Sequence, residues 1–200
     1  MKPKQNVWSS KELLSSLSAC CLHIDATLKD NYECILWNDL CSEYDSRNLC
    51  LRLQFSRNSY SEAFNSLLEL WAADESNHAE GFKIIYAAVY GCEEGDIDAR
   101  LRGRKVDFSV IEEFIGDEFK LCLLLAYDEL ATTYSYHGDI PLYRSLGHAP
   151  LEGWIRRVKL DEALHFYNLL QVIKNKHSHR IAEAEDILLD ILELDLSDAD

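Results

Sequence analysis

Two copies of Glu-x-x-His, Glu75-Ser-Asn-His78 and Glu162-Ala-Leu-His165, each interrupt an apolar heptad run. A helix advances about 100° per residue, so positions i and i+3 share one face, and a carboxylate and an imidazole there can converge on one cation. The first run reads Leu68, Trp71, Glu75, His78, Phe82, Ile85, Val89, and the second Ile155, Val158, Glu162, His165, Leu169, Val172. Both pairs therefore fall where a helical bundle keeps its core. A buried carboxylate is strongly disfavoured unless it is paired or bound to a cation. One Glu-x-x-His is a weak pattern. Two of them, both in core register, have a common explanation in a shared metal site.

Helix punctuation divides the chain around these motifs. A first helical region is expected from about Ser10 to Asp45, capped by Ser9 or Ser10, as one helix or as two divided near Asp30-Asn31. A second begins near Ser59-Tyr-Ser-Glu62, where Ser59 and Glu62 match a capping box, and stops at Gly91. A third spans about Phe108 to Tyr136, and His137-Gly-Asp-Ile-Pro141 is expected to close it. Its seam, Ile115, Phe119, Cys122, Leu125, Glu129, Thr132 and Tyr136, again carries one acid, whereas Glu118 and Asp128 fall off that face. A fourth runs from about Leu151 to Lys174. The acidic stretch at about 180–196 reads as an amphipathic helix packed on the bundle or on a second subunit.

This pattern, with 48% hydrophobic residues, three prolines and eight glycines, predicts an all-α chain forming a single domain over 1–200, with a metal-binding core at about 22–175. No stretch approaches the apolar length of a membrane span, and Leu121–Tyr127 is far too short. The opening segment lacks the apolar core of a secretory signal, so a cytoplasmic location is the expectation. A net charge of −15 opposes binding to nucleic acid or anionic membranes. Cys20, Cys21, Cys34, Cys41, Cys50, Cys92 and Cys122 are scattered without a Cys-x-x-Cys pair, which argues against a disulfide framework or a zinc ribbon. One basic stretch, Arg100, Arg102, Arg104 and Lys105, reads as a solvated turn between helices, the alternative being a docking patch for an acidic carrier or electron donor.

The ordered acids and histidines resemble the pattern of ferritin-like di-iron bundles, in which two Glu-x-x-His helices combine with one glutamate from each of two others. That resemblance implies a four-helix bundle core with additional terminal helices. Glu129 is the seam acid of the third helix. In the first region Glu33, Asp39 and Glu43 compete, and Glu33 fits best on the run Leu22, Ala26, Glu33, Trp37, Leu40 and Tyr44. A set of Glu33, Glu75, His78, Glu129, Glu162 and His165 suits two iron ions, with manganese as the alternative, and its lack of thiolate argues against zinc or an iron–sulfur cluster.

Three blocks sharpen this resemblance. Trp71–Gly81 (WAADESNHAEG), Tyr127–Gly138 (YDELATTYSYHG) and Asp161–His165 (DEALH) resemble, in order and spacing, the motifs of the soluble acyl-carrier-protein desaturases, over about Glu33 to Ile173. The resemblance implies that Glu75 and Glu162 bridge two irons, that His78 and His165 each bind one, and that Glu129 and Glu33 are terminal ligands. It also implies that Thr132 stands beside the oxygen-binding face as a proton relay, and that Asp161 orients a ligand histidine. The activity implied is an O2-dependent oxidase that desaturates an acyl chain on acyl carrier protein, supplied with electrons by a donor such as ferredoxin, in a homodimer.

The departures bear on substrate and partner. The chain is shorter than a plant desaturase, and family arginines are replaced by Asn77, Leu130 and Leu164. These changes favour, as the alternative chemistry, hydroxylation or N-oxygenation in a specialised biosynthetic pathway. A non-enzymatic iron-binding or interaction protein is the third reading. His137 is expected at a helix end, His148, His177 and His179 in exposed segments, and His23 as an ordinary partly buried residue; Trp71 is the one aromatic in register to approach an electron path.

Overall fold

The heptad runs fold as the long helices of an all-α chain. The computed structural model describes residues 2–17, 22 and 26–197. Its helices are α1 (Ser10–Leu13), α2 (Ala26–Gln54), α3 (Glu62–Tyr90), α4 (Glu94–Arg102), α5 (Glu112–Ile115), α6 (Glu118–Ser145), α7 (Ala149–Lys176) and α8 (Ala184–Ser197). Short 3-10 turns at Arg57–Ser59, Ser109–Ile111 and Ser178–Glu183 lie between helices, and no strand occurs among the described residues. No helix there is long and apolar enough to cross a membrane. Cys20, Cys21 and His23 lie outside the described residues.

The four long helices pack α2 along α3 and α6 along α7, with α3 also meeting α7. Two apolar clusters fill the space between them. One gathers Leu36 and Leu40 of α2, Phe82 and Ile85 of α3, Tyr136 and Tyr143 of α6, and Trp154 and Val158 of α7. The other gathers Leu53, Phe64, Phe119, Cys122, Leu125, Leu169 and Val172 from the same four helices. The clusters follow one another in one order along α2 and α7 and in the reverse order along α3 and α6, so each close pair is antiparallel. Except for Asp39, which sits within the first cluster beside Leu40 and Tyr143, the buried acids and histidines of the four helices fall between the two clusters. The polar layer is thus sandwiched between two apolar plugs.

Several boundaries differ from the sequence expectation, each for a local reason. The first region is two helices. Ser9 caps short α1 by accepting from the Glu12 N–H at 3.2 Å, and α2 then runs nine residues beyond Asp45. Helix α3 is capped by Ser61 rather than Ser59: Ser61 Oγ accepts from the Phe64 N–H at 3.2 Å. The reciprocal acid comes from another helix, because Glu118 of α6 takes both the Ser61 N–H and its hydroxyl. A capping box read along one strand of sequence cannot find that partner. Asp117 caps α6 through the Phe119 and Lys120 N–H groups, separating it from α5.

The end of α6 is the largest difference. It continues through Gly138 and Pro141 to Ser145. An interior proline costs about 3 kcal/mol, but Tyr136, Ile140, Leu142, Tyr143 and Leu146 are all buried there. Burial of several large side chains at about 1.5–3 kcal/mol each outweighs the proline. The first half of the basic segment is helical: Arg100 and Arg102 end α4, Arg100 stacks on Trp37 at 3.4 Å and donates to the Tyr86 hydroxyl, while Arg104, beyond the helix, pairs with Asp45 at 2.6 Å. Two of its four cations are thereby engaged within the chain. His177 is half-buried rather than exposed, with its ring nitrogen 2.9 Å from Glu118. Helix α8 packs on α6 and buries Ile187 and Ile191, as the amphipathic reading of that stretch expects.

Candidate metal centre

Four helices each bring polar groups to the layer between the plugs. α2 contributes Glu43, α3 Glu75 and His78, α6 Glu129, and α7 Glu162 and His165, all of them buried. Their ligand atoms form two overlapping cages within 4.8 Å: Glu43, Glu75, His78 and Glu162 in one, and Glu75, Glu129, Glu162 and His165 in the other. Glu75 and Glu162 belong to both. The His78 and His165 rings lie 6.2 Å apart, centroid to centroid. His78 Nδ1 is 3.0 Å from Glu162 Oε1 and 3.3 Å from Glu43 Oε2. His165 Nδ1 is 3.1 Å from Glu162, 3.2 Å from Glu129 and 3.5 Å from Glu75.

Each imidazole turns Nδ1 toward the carboxylates and Nε2 toward an aspartate. His78 Nε2 is 3.3 Å from Asp161 Oδ2, and His165 Nε2 is 3.2 Å from Asp74 Oδ2. A carboxylate only accepts, so Nε2 carries a proton, and Nδ1 is the nitrogen whose lone pair would face a cation in the cage. Asp74 and Asp161 each precede the glutamate of their own motif yet hold the histidine of the other. The arrangement is therefore two-fold, with α3 and α7 exchanging supports.

The electrostatics of the layer follow from four carboxylates away from water. Burial first, then Glu43, Glu162 and Glu129, raise the Glu75 pKa well above the carboxylate range. Burial likewise raises that of Glu129, which His165 only partly offsets. Burial disfavours imidazolium, but Glu162 and Glu43 override it at His78, as Glu129 and Asp74 do at His165, and both pKa values rise. Glu162 moves the other way: burial opposes its charge, yet His78 and His165 on either side hold it below the usual range. Protons on two imidazoles and shared carboxyls are thus what the layer uses when no cation is present.

The donor set fits divalent metal ions. Glu43 Oε2, Glu75 Oε1, Glu162 Oε1 and His78 Nδ1 are buried without a well-formed hydrogen bond to the rest of the protein, their near polar neighbours being one another and His165. Buried polar atoms are seldom left so poorly bonded, and four together in one pocket of oxygen and nitrogen donors match what a hard or borderline cation requires. Four carboxylates also balance the charge of two such ions. The remaining oxygen of Glu43 accepts from the Tyr136 hydroxyl, which orients it.

Five of the six expected ligands come together, and Glu33 does not. It is exposed, and its carboxylate accepts from the Tyr86 hydroxyl at 2.9 Å. Glu43 occupies the first-helix position instead. The run chosen for Glu33 contains Trp37 and Tyr44, which lie only partly buried on the flank. The core register of α2 reads Leu36, Leu40, Glu43, Cys50, Leu53, and that heptad continuity was the available signal. Asp74 was also legible, since Asp precedes Glu in both motifs. Asp161 does meet a histidine, His78 of the opposite helix rather than His165 of its own. Thr132 is half-buried one turn beyond Glu129; the hydroxyl that bonds back to the Glu129 carbonyl, at 2.8 Å, is that of Thr133.

An apolar recess of about 10 Å³, lined by Phe64, Leu67, Leu68, Trp71, Leu125 and Leu169, reaches His165. Its neighbour, a cleft of about 190 Å³ between α2 and α3, shares Leu68 and is rimmed by Gln54, Arg57, Asn65 and Glu69. Comparison with family models, with curated proteins and with solved structures finds no match to this chain.

Proposed function

We propose that this chain is an O2-dependent non-haem di-iron oxidase of ferritin-like type, acting on an acyl chain carried by acyl carrier protein. The observation that carries this reading is the pair of overlapping cages sharing Glu75 and Glu162. Glu43 and His78 would complete the set for one ion, Glu129 and His165 for the other, with manganese as the alternative metal. Bound there, two iron ions supply the redox chemistry that activates dioxygen, which no side chain of this layer can supply itself.

The chain's own contribution is geometry, dryness and protons. Asp74 and Asp161 fix the tautomer and orientation of the two imidazoles, which raises their basicity toward a metal. Tyr136 holds Glu43. The apolar plugs exclude water from the layer, and the small recess lined by Phe64, Leu68, Trp71 and Leu169 keeps the His165 side apolar. Thr132, half-buried one turn beyond Glu129, would serve in this reading as the proton relay. A ferredoxin-like donor would supply electrons, and a homodimer is the assembly the reading implies.

A second chemistry, hydroxylation or N-oxygenation of a smaller metabolite, is favoured by what stands at the arginine positions of the desaturase motifs. Asn77 accepts the Ser10 N–H at 2.7 Å, Leu130 is exposed and Leu164 half-buried, so the charged surface that those arginines build is replaced. The cages serve either chemistry, because fold and metal set do not determine the substrate. Metal analysis of the iron-loaded protein, followed by its optical response to dioxygen, tests the reading. About two irons per chain and a transient visible band are expected under the coordination rules; Glu162→Ala should abolish both. Iron content unchanged in that variant would defeat the site assignment. Turnover of carrier-bound acyl chains against free amines and acids then separates the two chemistries.

A further inference from the structure

The supports of the two histidines do not end at Asp74 and Asp161. The extended segment before α1 crosses α3 and α7 and bonds to both aspartates. Asn168 of α7, fully buried, anchors it: its amide oxygen takes the Lys4 N–H at 2.9 Å and its amide nitrogen donates to the Lys4 carbonyl at 2.7 Å. Gln5 Nε2 then donates to Asp74 Oδ1 at 2.9 Å. Asn6 Nδ2 donates to Asp161 Oδ1 at 3.2 Å, and Trp8 Nε1 to Asp161 Oδ2 at 2.6 Å. The far end is pinned by Trp154 Nε1 donating to Ser10 Oγ at 2.9 Å. The indole of Trp8 also lies 6.1 Å from the His78 ring, centroid to centroid, tilted 30° to it.

We propose that residues 4–8 form a strap that completes the metal centre, with Gln5 the positioning residue for the His165 ion and Asn6 and Trp8 the positioning residues for the His78 ion. This rests on the metal reading given above. The physical basis is that an aspartate can orient an imidazole only if its own carboxylate is held, and the donors that hold it here come from neither helix of the motif. Partners at this remove change metal affinity by about 10- to 100-fold. The strap is divided by side chain: one donor serves Asp74, two serve Asp161. It therefore tunes two neighbouring ions independently.

The test is anaerobic titration of the full chain with ferrous iron against a competing chelator, in variants that isolate each ion. His165→Ala leaves the His78 cage and His78→Ala leaves the His165 cage. In the His165→Ala background, Trp8→Phe is expected to weaken the remaining ion about tenfold or more, while Gln5→Ala leaves it unchanged. In the His78→Ala background the two effects exchange. Gln5→Glu, which faces Asp74 with an acceptor instead of a donor, should fall further than Gln5→Ala, a difference that loss of packing would not produce. Asn6→Ala serves in place of Trp8→Phe if the latter melts early, and Val7→Ala, at a side chain 91% exposed, is the control. Wild-type affinity in every strap variant, or equal loss at both ions from either substitution, overturns the proposal while leaving the metal centre standing. A wild-type chain that takes up no iron defeats the metal reading itself, and the strap's role with it.

Discussion

At the scale of single residues, the centre is a balance between charges that repel and cations that are absent from the polypeptide. Glu43 and Glu33 make the sharpest contrast, since the two acids lie on one helix and only Glu43 reaches the cage. Glu43→Ala is expected to lose stoichiometric iron and Glu33→Ala to retain it, as metal analysis after loading would read. Asp39 shows the cost of acids in an apolar plug. Burial first, then Asp139, with the Tyr143 hydroxyl opposing, push its pKa from 3.8 up to about 8. Between those values the unfolded chain has lost a proton that the folded chain keeps. The folded state binds more protons there, so stability falls as pH rises, by about 1.4 kcal/mol per pH unit from this group. Glu75, Glu129 and both histidines, all with raised pKa values, slope in the same sense, and Glu162 in the opposite one. Asp39→Asn in the iron-free protein should therefore flatten the decline measured by urea unfolding at about pH 5 and about pH 8 without removing it.

Among the elements, helix ends were partly legible and helix contacts were not. The left-handed Gly91, with φ of 66°, stops α3 where the sequence predicts, because glycine there carries no Cβ penalty. Gly138 and Pro141 do not stop α6, because the local preference is smaller than the burial around Tyr143. Gly81 matters for approach rather than for conformation: a Cβ there would stand 2.3 Å from Trp154 Cζ2 of α7. Trp154 is fully buried, packed edge-on to Phe82 and bonded to Ser10, so it has no room to withdraw. Gly81→Ala is expected to cost about 1–3 kcal/mol or more by overpacking. The α3–α7 spacing also sets the two-fold exchange of aspartates, so the same variant should weaken iron binding in chelator competition as well as lower the melting temperature.

For the whole molecule, the placement of one polar layer between two apolar plugs would couple metal binding to stability under the proposed reading. The plugs supply the driving force for folding, and the layer opposes it until cations replace protons. Ions bound only by the folded chain add about 2.7 kcal/mol at a free concentration 100-fold above Kd. Thermal melting should therefore rise on iron loading and fall after chelation, while helical content by circular dichroism stays nearly constant because both plugs remain. A melting temperature insensitive to metal would contradict a centre built from all four helices.

What the sequence by itself determined is the class of fold and most of the polar layer. Periodicity places Glu75, His78, Glu129, Glu162 and His165 on apolar seams, and a seam must face the core wherever the helices go. The tertiary structure decided everything that depends on which seam meets which. It selected Glu43 over Glu33, since two faces of α2 are both partly apolar and only packing against α3 and α6 distinguishes them. It matched Asp74 to His165 and Asp161 to His78, a pairing between helices that spacing within a helix cannot encode. And it brought Gln5, Asn6 and Trp8 from a segment without periodicity onto the aspartates that hold both histidines, because hydrogen bonds between distant residues leave no local pattern to read.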